Sequence, residues 1–419
     1  MRRPDSNGRS CRKLALFTAV LINTICVSKM MNRSAFMSLV DKGFRLTQST
    51  FYEKEVKSML DCAQLCLIRC SKCKSINFNH EKKICQLNNM TRIKSTEKFI
   101  KDEQFKYLEP VQVQFISQES TTDQTLGFLP FSATFTNLGA NGRNGPASLS
   151  AYYTGQDHEH MVSVQNGIQS WTVPYSGTYQ ITAVGAAGGY GNKGTVARGR
   201  GSYMQGDFDF AKGDVIKLLV GQAGVENTGQ ASSGGGGGTF VATATNQPLL
   251  VAGGGGGIES LENRLANCDA NTGTTGKNNQ CYTGCANWAG GVGGNGATVA
   301  DNSNSGGGGG GFNSNGRSSK QFGGTTGNGG EGGRGFQQGG RGGRSWYNNG
   351  EGGFGGGGGA YGQGGGAGGG GGYSGGASGD NVSKSCGGGG GSYNAGRNQV
   401  NQAGNNNSGH GYIKIVRLN

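Results

Sequence analysis

The sequence predicts two folded units in tandem: an α+β module tied by disulfides over residues 29–110, and an all-β sandwich over residues 127–419 whose connections are packed glycine tracts. Three observations carry this prediction. Of 87 glycines, only Gly8 and Gly43 precede Pro110. Five cysteines crowd the interval from Cys62 to Cys85. The glycine tracts are flanked by runs with strand periodicity, and the chain closes on one, Tyr412-Ile-Lys-Ile-Val.

Glycine loses more backbone freedom on ordering than any other residue. From Gly352 to Gly391 it is interrupted mainly by single residues such as Phe354, Tyr361 and Tyr373, with Tyr393 just beyond. Such a stretch is either a solvated tail or an interior whose bare backbones satisfy one another's N–H and C=O groups. Flanking strands favour the interior. An extended glycine helix has three residues per turn and no internal hydrogen bonds, so neighbouring tracts must supply them. The glycine excess also explains a hydrophobic content of only 33%.

The net charge of +13 is unevenly placed. Residues 29–110 carry sixteen basic and nine acidic side chains, whereas residues 111–419 carry seventeen and fifteen. The basic surface therefore belongs to the first unit. At the N-terminus, Arg2, Arg3, Arg9, Arg12 and Lys13 precede an apolar run from Leu14 to Val27, too short to span a bilayer comfortably. Basic flank and short apolar core read as a signal peptide over residues 1–28; the alternative is an uncleaved anchor holding the protein at the plasma membrane. An extracellular, secreted and oxidised protein is expected, one in which cysteines pair.

The first unit contains Cys62-x3-Cys66-x3-Cys70-x2-Cys73 and then Cys85. Glu53 to Cys70 reads as a helix, with Val56, Leu60 and Leu67 on one stripe. Ser75-Ile-Asn-Phe-Asn and Ile84-Cys-Gln-Leu read as two short strands around a polar turn. A zinc site is the rival use of these cysteines, and export favours disulfides. Removing residues 1–28 leaves an odd number, nine of eleven cysteines, and Cys70 is the odd one expected to stay free or to link a homodimer. Lys72, Lys74, Lys82 and Lys83 surround the strands, followed by Lys94, Lys98, Lys101 and Lys106. They suit a sulfated glycan, or else form an ordinary solvated surface. Residues 111–126 are polar and read as a linker, although the first six are able to extend a strand.

In the second unit Phe131 to Thr136 is a strand. Ser170-Trp-Thr-Val turns at Pro-Tyr-Ser-Gly into Thr178-Tyr-Gln-Ile-Thr-Ala-Val, and Asp207-Phe-Asp-Phe turns at Ala211-Lys-Gly-Asp into Val215-Ile-Lys-Leu-Leu-Val. Thr239 to Thr245 turns at Asn246-Gln-Pro into Leu249-Leu-Val-Ala. Strands and glycine blocks alternate, which makes a sandwich with glycine loops. Cys268, Cys281, Cys285 and Cys386 are an even set suited to two disulfides that tie the loop Ile258–Trp288 to the tracts. Asp157-His158-Glu159-His160 offers metal ligands at alternate positions if it is a strand, and is a solvated loop otherwise. Arg198-Gly-Arg-Gly and Arg341-Gly-Gly-Arg look like RGG elements, but near-neutral charge and export speak against nucleic acid as a partner. No nucleophile, base and orienter set stands out, so neither an enzyme nor a cofactor is expected. N-glycosylation acceptors occur at Asn32, Asn89, Asn381 and Asn406.

Two resemblances add to this reading. The order Cys-x3-Cys, Cys-Lys-Ser-Ile-Asn-Phe and Cys-Gln-Leu over about Phe36 to Leu108 resembles the PAN/apple module. That resemblance implies pairing of Cys66 with Cys73 and of Cys62 with Cys85, and binding of proteins or carbohydrates. In the second unit, Trp171-Thr-Val-Pro with Gly177-Thr-Tyr-Gln-Ile-Thr-Ala-Val-Gly-Ala-Ala-Gly-Gly, Leu249-Leu-Val-Ala-Gly-Gly-Gly-Gly-Gly, Gly371-Gly-Tyr-Ser-Gly-Gly-Ala-Ser and Gly409-His-Gly-Tyr-Ile-Lys-Ile follow one another. This series is similar to the glycine-rich domain of the anaplastic lymphoma kinase/leukocyte tyrosine kinase receptors. The resemblance implies a jelly roll like that of tumour necrosis factor, polyglycine helices in a bundle, and reception of a secreted peptide ligand. The chain ends after its last strand, without an EGF-like module, second hydrophobic span or kinase, and no ligand-contact residue is carried over. The expected function is extracellular binding of a peptide or protein ligand without catalysis, with a PAN-like glycan or protein contact. The alternative is a structural component of matrix or mucus built on the glycine bundle.

Overall fold

The computed structural model describes residues 36–46, 48, 50–68, 73, 75–89, 99–111 and 131–419, except 155, 192–194, 228, 230–231, 300–303, 326 and 406–408. The chain divides into two compact units, Met1–Thr125 and Leu126–Asn419. Most of the described secondary structure is β-sheet, and no described helix is long and apolar enough to cross a membrane.

The first unit comprises β1 (Phe36–Leu46), β2 (Thr50–Glu55), α1 (Met59–Ile68), β3 (Ser75–Asn79), β4 (Ile84–Asn88) and β5 (Phe99–Val111). Its strands form one antiparallel sheet in the order β1-β5-β3-β4-β2. The helix expected from Glu53 begins later. Glu53, Lys54 and Glu55 pair with Gln86, Cys85 and Ile84 as the end of β2. The helix starts where Ser58 caps it: the Asp61 N–H donates to Ser58 Oγ (3.2 Å), and that hydroxyl donates back to the Asp61 carboxylate (3.0 Å). Cys62 and Cys66, one turn apart on α1, are joined to Cys85 on β4 and to Cys73 ahead of β3. With Ile76, Phe78 and Leu87 they make the core between helix and sheet. Cys70, residues 1–28 expected as a signal peptide, and residues 112–126 of the expected linker lie outside the described residues; Val111 itself closes β5.

The second unit runs β6 (Ser132–Phe135), β7 (Val162–Gln165), β8 (Ile168–Thr172), β9 (Gly177–Val184), β10 (Tyr203–Phe210), β11 (Val215–Leu219), β12 (Thr239–Thr243) and β13 (Pro248–Ala252). Then come β14 (Ile258–Glu259), β15 (Gln280–Cys281), β16 (Ser385–Cys386), β17 (Tyr393–Asn394), β18 (Arg397–Gln402) and β19 (Tyr412–Arg417). Two larger sheets have the orders β18-β10-β9-β19-β6 and β17-β13-β12-β11-β8-β7, and a small one β14-β16-β15. Inward side chains of the two larger sheets share one core, with Trp171, Ile216, Leu218, Val241 and Leu250 from one and Phe135, Tyr179, Ile181, Met204 and Ile413 from the other.

The two turns read from sequence at Pro174–Gly177 and Ala211–Asp214 do not close hairpins. Each carries the chain from one sheet to the other: β8 pairs with β11, and β9 with β10. The crossings lie side by side, bonded from Val173 N to Asp214 O (2.8 Å) and from Gly213 N to Val173 O (2.9 Å). At Asn246 the expected hairpin of β12 and β13 does form.

Strands β12 and β13 are apolar on both faces because both are covered. Phe240, Val251 and Leu219 point away from the sandwich core into a second cluster with Phe312, Phe336 and Phe354. Phe312 and Phe336 stack at 4.9 Å, and Tyr373 and Tyr393 at 4.8 Å beside them. These rings are the interruptions of the glycine tracts, so the tracts lie against the outer face of the sheet. Between tracts the backbones bond directly: Gly235 N to Gly358 O (2.9 Å), Gly236 N to Gly255 O (2.8 Å), Gly254 N to Gly371 O (2.8 Å) and Gly370 N to Gly388 O (2.9 Å). Their inner glycines are buried.

Candidate binding surfaces

In the first unit, Lys82 and Lys83 stand exposed at the tip of the β3–β4 turn. Asn79 shapes that turn by accepting from the N–H groups of Glu81 (3.1 Å) and Lys82 (2.9 Å), while Lys83 takes the left-handed conformation (φ 56°). Neither lysine forms an ion pair with a described residue, whereas Lys101 pairs with Glu103 (3.2 Å) and Arg45 with Asp102 (3.0 Å). Lys72 and Lys74 lie outside the described residues. The sheet face turned away from α1 carries the buried rings of Phe105 and Tyr107 beside a polar ladder bonded across the strands: Thr50 to Asn88 (2.9 Å), Asn88 to Ser75 (3.3 Å), Asn77 to Gln86 (3.0 Å) and Gln86 to Glu53 (2.7 Å). Ser75, Asn77 and Asn88 are fully buried there. Such a satisfied ladder fixes register, and Lys82 and Lys83 are exposed beside it together with Lys54 and Lys57.

In the second unit, Asp157–His160 is not a strand with alternating ligands. It turns into a short 3-10 helix, Glu159–Met161, and His158 is buried against the rings of Tyr153 (4.3 Å) and Phe135 (4.7 Å). The ring packs on the core, and among the described residues no group of three His, Cys, Asp or Glu is placed to hold a metal. Beside it the Tyr153 hydroxyl accepts from Thr136 N–H (3.1 Å) and donates to Gln169 (2.7 Å); burial pushes this phenol up to about 12.

Burial holds the His158 imidazole below its ordinary value of 6.5, against the opposing pull of Asp157. His410, which accepts from Ala223 N–H at Nδ1 (3.1 Å), is lowered as well, by burial and by Arg198. A base whose folded pKa is depressed binds more protons unfolded, so its contribution to stability is complete above about 6.5 and is lost as pH falls toward the folded value. We expect the melting temperature of the second unit to drop on acidification below pH of about 6.5, with a shallower slope in His158→Phe. An identical pH profile in the variant would contradict this role.

The two arginine motifs have different fates. Arg198 is buried, its Nε–H donating to Gly188 O (2.8 Å) and its guanidinium 5.3 Å over the Tyr190 ring. Arg341 and Arg344 are exposed on an outer tract, and Arg344 grips Glu331 through Nε (2.7 Å) and Nη2 (3.1 Å). Cys268 bonds to Cys386 across the base of the inserted loop, and Cys281 bonds to Cys285 within it. Asn89 and Asn381 are exposed, while Asn32 and Asn406 lie outside the described residues. Sequence reasoning missed an exposed aromatic pair, Trp346 and Tyr347; two adjacent rings set between glycine runs were its signal.

Residues 41–113 match the PAN domain. The leukocyte tyrosine kinase receptor of Mus musculus is 37% identical over 95 residues, which make up 22% of this chain and 11% of that receptor.

Proposed function

We propose that this is a secreted, non-enzymatic binding protein of the extracellular space. Its second unit receives a peptide or protein ligand, and its PAN domain adds a protein or glycan contact. The observation that carries the reading is the joining, in one chain, of a PAN domain to a disulfide-tied unit, with a partial match to a receptor tyrosine kinase. In this reading the sandwich is a jelly roll, the glycine tracts are polyglycine helices in a bundle, and together they form a stiff platform. Stiffness matters because a preformed surface spends little of its contact energy on ordering itself.

The test is to recover the full chain from the medium of expressing animal cells, measure its size, and use it to capture partners from extracellular fluid. A monodisperse protein that saturates with one partner is expected. Self-assembly into polymers would overturn the reading in favour of a matrix component.

The glycan contact of the PAN domain is tested separately. If Lys82 and Lys83 hold sulfate groups, the double variant Lys82→Glu/Lys83→Glu elutes from heparin at lower salt than the parent, and retention of the parent fades above physiological ionic strength. Unchanged elution of the double variant would remove the turn from the proposal.

A further inference from the structure

The outermost glycine tracts carry side chains in a period of three. Residues 331–335 and 340–344 run antiparallel, bonded from Glu331 N to Arg344 O (2.9 Å) and from Arg334 N to Arg341 O (2.8 Å). In both tracts the glycine pairs, Gly332–Gly333 and Gly342–Gly343, are buried, whereas Arg334, Arg341 and Arg344 are exposed. An extended glycine backbone with three residues per turn gives this result, since each third residue falls on the same edge. The edge is cationic. Between residues 312 and 360 the chain has five basic residues and two acidic ones, Glu331 and Glu351. Glu331 is already engaged, because Arg344 and Arg143 (3.2 Å) both bond to its carboxylate.

The ribbon leads directly into a row of four rings. The Arg344 guanidinium lies 4.6 Å over Phe322. Phe322 meets Trp346 at 6.0 Å and 85°, Trp346 meets Tyr347 at 5.6 Å and 74°, and Tyr347 meets Tyr361 at 5.3 Å and 66°. None of the four belongs to either of the unit's large apolar clusters. Trp346 and Tyr347 keep 39% and 38% of their surface in water. Their backbones are fixed all the same, Trp346 N to Ala360 O (3.2 Å) and Tyr347 N to Tyr361 O (2.8 Å). A region held together by backbone bonds gains little from these rings, and leaving them wet forfeits burial energy.

We propose that the ribbon and the ring row together form a docking site for an acidic peptide segment of a protein partner. Carboxylates of the segment meet the guanidinium groups of Arg334 and Arg341, whose planar forks donate two hydrogen bonds to each carboxylate. An apolar side chain of the segment enters the angle between the Trp346 and Tyr347 rings. Trp, Tyr and Arg in one rigid patch are the composition from which binding hot spots are made. The near-perpendicular rings favour a side chain over a sugar chain, because no two neighbouring faces are coplanar for successive saccharides to stack on. This inference rests on the reading of the second unit as a binding domain and gives that reading a site and a partner chemistry.

The experiment uses the full secreted chain and an array of synthetic peptides in which two or three Glu residues flank a single Leu, Pro or Tyr, with Lys-for-Glu copies as controls. Trp346→Ala removes the anchor, and Arg341→Glu reverses an exposed charge for which no side-chain bond is seen. We expect saturable binding of acidic peptides only, weakened at least tenfold by each variant, with melting temperature and heparin elution unchanged. Three results would overturn the site: no acidic peptide binds, binding persists in both variants, or a heparin oligosaccharide binds the parent and loses that binding in both variants. If the partner captured from extracellular fluid still binds both variants, this site falls while the binding function stands. If the chain polymerises and captures nothing, both fall.

Discussion

Gly370→Val is expected to abolish secretion of the folded protein, or to yield a second unit that protease digests. Gly370 donates its N–H to Gly388 O (2.9 Å) and accepts from Gly376 N–H (2.8 Å). A Cβ at this position would sit well inside contact distance of the Gly254 carbonyl and close to Gly255, both of them backbone that has no flexible end to move. Valine therefore forces neighbouring tracts apart and leaves buried amides unpaired. Each such loss costs about 1–3 kcal/mol, and a few of them approach the whole stability of an ordinary domain. Gly229→Val is the matched control, because a Cβ there meets nothing within 4 Å. Secretion and protease resistance of Gly370→Val equal to those of the control would show that the tracts do not depend on close packing.

The second large effect is expected at the Cys268–Cys386 disulfide. It closes a loop with a sequence separation of 118, and both cysteines are fully buried with Ala197, Ile258 and Leu261. Cys386 also sits on β16, the middle strand of the small sheet. Loop-closure entropy alone gives this bond about 5 kcal/mol, against about 2 kcal/mol for Cys281–Cys285, whose separation is 4. The paired variant Cys268→Ala/Cys386→Ala should lower the denaturation midpoint far more than Cys281→Ala/Cys285→Ala. Equal shifts would mean that the long bridge does not constrain the unfolded chain.

What the sequence made legible was whatever a local pattern determines. The runs Thr239–Thr245 and Leu249–Ala252 showed two strands around a turn, and the glycine tracts showed bare backbones able to satisfy one another. The sheet crossings after Thr172 and Phe210 were not legible, because a turn between sheets uses the same Pro, Gly and Asp residues as a turn within one. Strand β18 was invisible for a different reason. Arg397-Asn-Gln-Val-Asn-Gln is exposed along its whole length as an edge strand, so no alternation of polarity marks it. The end of β2 reads as helix because Glu53 to Glu55 has no strand signal of its own; only its pairing with β4 makes it a strand. In the structure the bonds between Ser58 and Asp61 fix the helix start. At the proposed docking edge, Arg341-Gly-Gly-Arg was visible as a motif. That Arg344 lies over Phe322, and through it beside the rings of Trp346 and Tyr347, was not legible, because no local pattern places residue 322 next to residues 344–347.

Native hydrogen exchange on the full chain tests most directly whether glycine backbones, bonded tract to tract, form the rigid platform of the second unit. The amides of residues 234–238, 254–257, 368–372 and 387–391 bond to carbonyls of other segments of the unit, most of them in neighbouring tracts, so they should be protected as strongly as those of β9 and β12. Exchange of these segments at the rate of an unstructured glycine chain, with β9 and β12 still protected, would contradict the account.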